Sequence, residues 1–125
     1  MLRLAATACL VVNVGAGLLL ALTRGGILGQ MGLTPPPPFY CDLIAVFLVA
    51  AGLGFLPAVS GTPGQRVYLW IFGVAVKLIA ASLMASLWFS GLVGWMIVVL
   101  ALADIALAGL VLAGLRRPAR TPHPA

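Results

Sequence analysis

Apolar residues along this chain gather into four long runs, and the polar positions between them cluster at turn formers. The runs cover roughly residues 4–22, 40–59, 67–89 and 92–115. A membrane-spanning helix needs about 20 predominantly apolar residues, so each run predicts one spanning helix. Residues 23–38 are rich in Gly and Pro, and Ser60-Gly61-Thr62-Pro63-Gly64 is a second cluster of turn formers. Ser90-Gly91, with Gly94 close behind, predicts a tight turn. There is no internal repeat. The pattern predicts an all-α integral membrane four-helix bundle of antiparallel up-down topology. It forms a single membrane domain over residues 1–125, of which 116–125 are a short basic, proline-containing tail.

Met1-Leu2-Arg3 ahead of an apolar run resembles the start of a signal peptide. That run is about 19 residues, long for such a segment, and no Ala-x-Ala cleavage pattern follows it. Ala6-Thr7-Ala8-Cys9 has too short an apolar stretch before the cysteine to be a lipoprotein site. The first run is therefore expected to remain as a span.

Composition agrees with lipid as the main solvent. Hydrophobic residues make up 63% of the chain, with seven Lys or Arg and two Asp or Glu. A soluble domain carries about 25% charged residues, and these few charges could not cover its surface. With four spans, Arg3, Arg66, Arg116, Arg117 and Arg120 share one side and Arg24 lies on the other. Positive-inside bias makes the five-arginine side cytoplasmic, with both termini there, in a bacterial inner membrane. Tyr68 and Trp70 fall near the inner end of the third run, and Tyr40, Trp88 and Trp95 near outer ends. Tyr and Trp favour these interfaces because each joins an apolar ring to a polar atom. The net charge of +5 is thus topological. Nucleic acid would require a concentrated basic face, so the lipid bilayer is the expected partner, together with another membrane protein or a second copy of the chain. The 116–120 arginines reach anionic lipid heads, worth about 1 kcal/mol each.

Two charges remain inside the spans. Lys77 and Asp104 sit near the centres of the third and fourth runs, and each costs about 2.5–3.5 kcal/mol to place there alone. Lys77 precedes Ser90 by 13 residues and Asp104 follows Gly91 by 13, so a hairpin at that turn brings both to one depth. A Lys77–Asp104 ion pair, or its neutral form after proton transfer, is expected. Gly73 and Ala81 lie on the Lys77 stripe, and Ala101 and Ala108 flank Asp104. Such small residues permit close helix approach. Asn13, at the midpoint of the first run with Ala6, Cys9, Ala16 and Gly17 on its face, is positioned to join as a third partner. Two readings of this midplane set stand side by side. It fixes helix register and packing order, or it forms a proton, cation or ligand site.

Asp42 opens the second run near Arg24 and Tyr40, a candidate outer mouth. A shallow Arg24–Asp42 contact is worth about 0–1 kcal/mol. Asp42 also reads as a helix-capping anion. Ala45, Val49, Gly52 and Leu56 continue its stripe inward, which either packs closely or leaves a cleft. The prolines at 35–38 predict a stiff extended arm over the bundle mouth.

Other chemistry is sparse. Cys9 and Cys41 differ in depth by about 20 Å, beyond the roughly 7 Å that a disulfide spans. No Cys-x-x-Cys motif is present, and the single histidine, His123, lies in the tail. Neither haem ligation, a metal cluster nor a Ser-His-Asp set can be assembled from these residues. No cofactor and no intrinsic enzymatic activity are expected.

Four spans in a chain of this length resemble the small multidrug transporters, whose essential span-one glutamate is here replaced by Asn13. The closer resemblance is to small four-helix bacterial membrane proteins of the DoxX-like kind. It is carried by Phe39-Tyr40-Cys41-Asp42, by Ala51-Gly52-Leu53-Gly54-Phe55-Leu56, by residues 73–77 ending in Lys77, and by Leu102-Ala103-Asp104 before an Arg-rich end. That resemblance implies a fold and a membrane address, and some relatives resemble subunits of quinone-reducing complexes. The expected function is that of a non-enzymatic accessory subunit or a binder of a small ligand or lipid. The alternative is a proton- or cation-coupled carrier using Lys77, Asp104 and Asn13.

Overall fold

The computed structural model describes residues 1–117. Arg120 and His123 therefore lie outside the described residues, as does most of the basic tail. The elements are α1 (Leu2–Leu22), the short α2 (Gly26–Gln30), α3 (Pro38–Val59), α4 (Arg66–Phe89) and α5 (Met96–Arg116). No strand occurs among the described residues. The helices α1, α3, α4 and α5 are each long and apolar enough to cross a membrane, as a multi-pass membrane protein requires.

Proline sets both ends of α3. Pro37 is extended, with φ −49° and ψ 148°, and Pro38 takes the first helical position. There its missing N–H costs nothing and its ring presets the helical φ. The helix thus starts two residues earlier than hydropathy predicts, and the extended arm ends at Pro37. Near the other end the helix loosens at Gly54 and Phe55 before a last turn at Leu56–Val59. Pro57 is the cause, since it has no N–H to give the carbonyl of Leu53. The Phe55 amide bonds to Gly52 at 3.0 Å, which leaves the Ala51 carbonyl free of its usual partner.

The helix α4 changes winding along its length. Residues Leu69–Ala75 are π-helical, and α-helical winding resumes at Val76. Each π turn takes in an extra residue, which rotates everything beyond it about the helix axis.

The fourth long helix begins at Met96 rather than at residue 92. Residues 90–95 form a six-residue connection in place of the tight turn. The Gly94 N–H donates to the Met31 carbonyl at 2.9 Å, tying this connection to the segment after α2. Gly32 makes that approach possible. Its φ is +80°, and a Cβ there would stand 3.0 Å from the Gly94 nitrogen. At the other end, the Arg66 guanidinium donates to the Leu115 carbonyl at 2.7 Å, satisfying one of the carbonyls left open at the end of α5.

Close packing joins α1 to α3, α1 to α5, and α4 to α5. Glycine sets the first of these contacts. A Cβ on Gly17 would fall 2.8 Å from the Ala45 carbonyl, and one on Gly52 would fall 3.0 Å from the Val14 nitrogen. An apolar core gathers Ala6, Cys9, Phe55, Leu69 and Val111 toward the Arg66 end. Ala16, placed by helical spacing on the Asn13 face, is exposed. By contrast α3 and α4 are not packed along their lengths, and a cleft separates them. Most remaining large apolar side chains point outward, as lipid contact demands.

Candidate functional site

Three helices converge on Lys77. Its residue is only 7% exposed, and Asn13 is 8% exposed. The Lys77 Nζ donates to Asp104 Oδ1 at 2.9 Å and to Asn13 Oδ1 at 2.8 Å. The structure therefore brings together all three midplane residues, Asn13 from α1, Lys77 from α4 and Asp104 from α5. Ala81, Ala101 and Ala108 are buried beside them, and their small size lets the helix axes approach. Gly52 presses on the site from α3, where a Cβ would fall 3.2 Å from the Asn13 Cβ.

Lys77 is 12 residues from the end of α4, whereas Asp104 is 8 from the start of α5. At the helical rise this is an offset of about 6 Å. The six-residue connection takes it up, since the two side chains meet. Lys77–Asp104 is the one salt bridge among the described residues.

The polar set is not saturated by protein partners. Two of the three Nζ protons have acceptors. Among the described residues, Asn13 Nδ2 and Asp104 Oδ2 have no hydrogen-bond partner, and neither is sealed from the surface. Asn13, Lys77 and Asp104 line the cleft between α3 and α4, which has a volume of about 350 Å³. Its α3 wall is Ile44, Phe47, Leu48 and Ala51, its α4 wall Phe72, Val76 and Ala80, and Asn13, Lys77 and Asp104 form its floor.

One end of the cleft is closed by an aromatic cluster that hydropathy did not reveal. Tyr68 stacks on Phe72, with ring centroids 4.6 Å apart, and meets Phe55 edge-on at 5.1 Å. Its hydroxyl donates to the Ala51 carbonyl at 2.5 Å, the carbonyl freed by the loosening of α3. Sequence reading places Tyr68 near the inner end of the third run; its half-buried side chain also joins α4 to α3. The i, i+4 spacing of Tyr68 and Phe72 was the available signal. Trp70, Trp88, Trp95 and Tyr40 are exposed.

The outer-mouth candidates stand apart from this set. Arg24 and Asp42 line one pocket with Ala21, Pro38 and Cys41, but no salt bridge joins them. Asp42 is the fifth residue of α3, past its first turn, and α3 has no side-chain cap. The capping role expected of Asp42 is therefore not realised, because the helix already begins at Pro38. Tyr40 packs edge-on against Phe39 at 5.5 Å. Asp42 also edges an apolar groove of about 470 Å³ between α1 and α3, lined by Gly17, Ala45 and Val49. Of the stripe predicted below Asp42, Gly52 turns to α1 and Leu56 is exposed.

Cys9 and Cys41 are buried free thiols. Among the described residues no group of His, Cys, Asp and Glu is placed to hold a metal ion. Comparison of the chain with protein-family models, with curated proteins and with solved structures finds no match.

Proposed function

We propose that this chain is a non-enzymatic multi-pass protein of the bacterial inner membrane that binds a small apolar ligand or lipid between α3 and α4. It then serves as an accessory subunit to another membrane protein or to its own copy. The observation that carries the reading is the cleft. An aromatic and aliphatic opening between two loosely joined helices ends on a polar floor, the combination by which ligand pockets gain affinity and orientation. The sequence offers no set of side chains for covalent or acid–base catalysis, which favours binding over turnover. The DoxX-like resemblance is compatible with such a role.

We place the helices in antiparallel up-down order with both termini cytoplasmic. The bond from Gly94 to Met31 links the two connections assigned outside, and the bond from Arg66 to Leu115 links the start of α4 to the end of α5. The arginine distribution supports the same orientation.

Purification in a gentle detergent followed by native mass spectrometry tests the proposal. A co-purifying lipid, ligand or partner protein is expected. A solitary chain with nothing bound would overturn it. A second reading, a proton- or cation-coupled carrier, draws on the buried ionisable pair at the depth where carriers place their sites. Flux in proteoliposomes that is unchanged by Asp104→Asn would reject it.

A further inference from the structure

Resting on the reading of the cleft as a binding site, we infer that its occupant is an amphiphile with a neutral hydroxyl head, an alcohol or a phenol, and an apolar tail. The head group follows from the unused hydrogen-bonding capacity of the floor. Among the described residues, Asp104 Oδ2 is an acceptor without a partner, while Asn13 Nδ2 and the third Nζ proton of Lys77 are donors without one. A hydroxyl is a small neutral group that both donates and accepts, so it matches a floor that offers both kinds of site.

Charge selects in the same direction. Lys77 and Asp104 neutralise each other at 2.9 Å, so the floor presents no net charge. An anionic head would gain from the ammonium but face the carboxylate. A cationic head would meet the reverse. Either would also lose its hydration among apolar walls, a cost that a neutral head avoids. Asn13 and Lys77 are both more than nine-tenths buried, so their unused donors belong to a built site rather than a wet surface.

The tail follows from the walls. Phe47, Phe72, Leu48 and Val76 carry no polar side-chain atom, and Phe47 in the α3 wall is 67% exposed. The cleft is thus open laterally, toward the position of lipid chains. A molecule already dissolved in the bilayer can enter sideways and place its head on the floor.

The test uses the wild-type protein in nanodiscs with three photoreactive diazirine probes of equal chain length: hexadecanol, its methyl ether and hexadecanoate. Cross-linked peptides are mapped by mass spectrometry. The alcohol is expected to label residues 44–51 and 72–80. The ether, which accepts but cannot donate, and the anion should each need about tenfold more probe for equal labelling, since each forfeits a hydrogen bond or meets a like charge. Ala80→Phe, which fills the cleft, should abolish the labelling; circular dichroism checks that the variant is helical, and the wild-type comparison decides if it is not. Equal labelling by alcohol and ether overturns the hydroxyl head while leaving an apolar binding site standing. Stronger labelling by hexadecanoate overturns it in favour of an anion site. Absence of cleft labelling by all three probes defeats both this inference and the binding site on which it rests.

Discussion

Lys77 and Asp104 are 27 residues apart in the chain and 2.9 Å apart in space, and the same ammonium also donates to Asn13 at 2.8 Å. Each charged partner would be costly in an apolar medium, and together they remove most of that cost. Lys77→Met leaves the carboxylate unpaired and should destabilise the fold by about 2–3 kcal/mol. Lys77→Met with Asp104→Leu removes both charges and should be less destabilising than the sum of the two single changes. A double-mutant cycle of unfolding in mixed micelles measures this. Additive losses would show that the two side chains are not coupled.

Asn13 contributes a neutral hydrogen bond to the same ammonium. Asn13→Ala should cost about 0.6 kcal/mol and no more than about 1.7 kcal/mol, the range for interhelical polar contacts in membranes. The same micellar unfolding assay reads it. A loss as large as that of Lys77→Met would mean that Asn13 holds more than one partner.

Close approach of α1 and α3 depends on Gly52, where a Cβ would sit 3.0 Å from the Val14 nitrogen. Gly52→Val should separate the helices and cost about 1–3 kcal/mol. Gly109 is the internal control, since nothing lies within 4 Å of its would-be Cβ. Gly109→Ala should be neutral or stabilise by up to about 1 kcal/mol. Thermal unfolding of the two variants side by side checks the contrast.

Tyr68 is the latch between α3 and α4. Tyr68→Phe keeps the ring contacts but loses the bond to the Ala51 carbonyl, a net cost of about 0.5–1.5 kcal/mol. Its signature is local. Spin labels on the outward residues Val46 and Ile79 should report a broader distance distribution, with little change between α4 and α5. An unchanged distribution would assign the closure to the aromatic rings alone.

Arg24 has a left-handed backbone, φ 48°, a conformation that costs a non-glycine residue about 1–2 kcal/mol. No salt bridge to Asp42 offsets it. Arg24→Gly should therefore raise the unfolding temperature, and Asp42→Asn should leave it nearly unchanged. A drop for Arg24→Gly would reveal a partner for the guanidinium.

Much of this architecture was legible in the order of residues. Hydropathy averaged over a span reports the solvent of a whole helix, so four long apolar runs identify four helices. Counting 13 residues to either side of Ser90-Gly91 matches Lys77 with Asp104, but the match holds only because the six-residue connection takes up the offset between the two helix ends. The loosening of α3 at Gly54 and Phe55 was not read from the sequence, because Pro57 sits inside an otherwise unbroken apolar run. The start of α5 at Met96 was hidden because Leu92 and Val93 are as apolar as the helix that follows them. Asp42 looked like a cap only because the prolines before it were read wholly as an arm.

What the chain could not declare is which helix faces pack. In lipid the outward face is as apolar as the inward one, so the two-sided contrast that marks a soluble helix is lost. The π-helical stretch Leu69–Ala75 then rotates the faces beyond it relative to any regular 3.6-residue projection. The bond from Tyr68 to α3 and the lateral cleft between α3 and α4 follow from that packing. The sequence by itself determined a lipid-solvated, four-helix chain with one charge of each sign inside its spans. Only the tertiary structure decided that these charges floor an open cleft, because that depends on which pairs of helices meet closely and which do not.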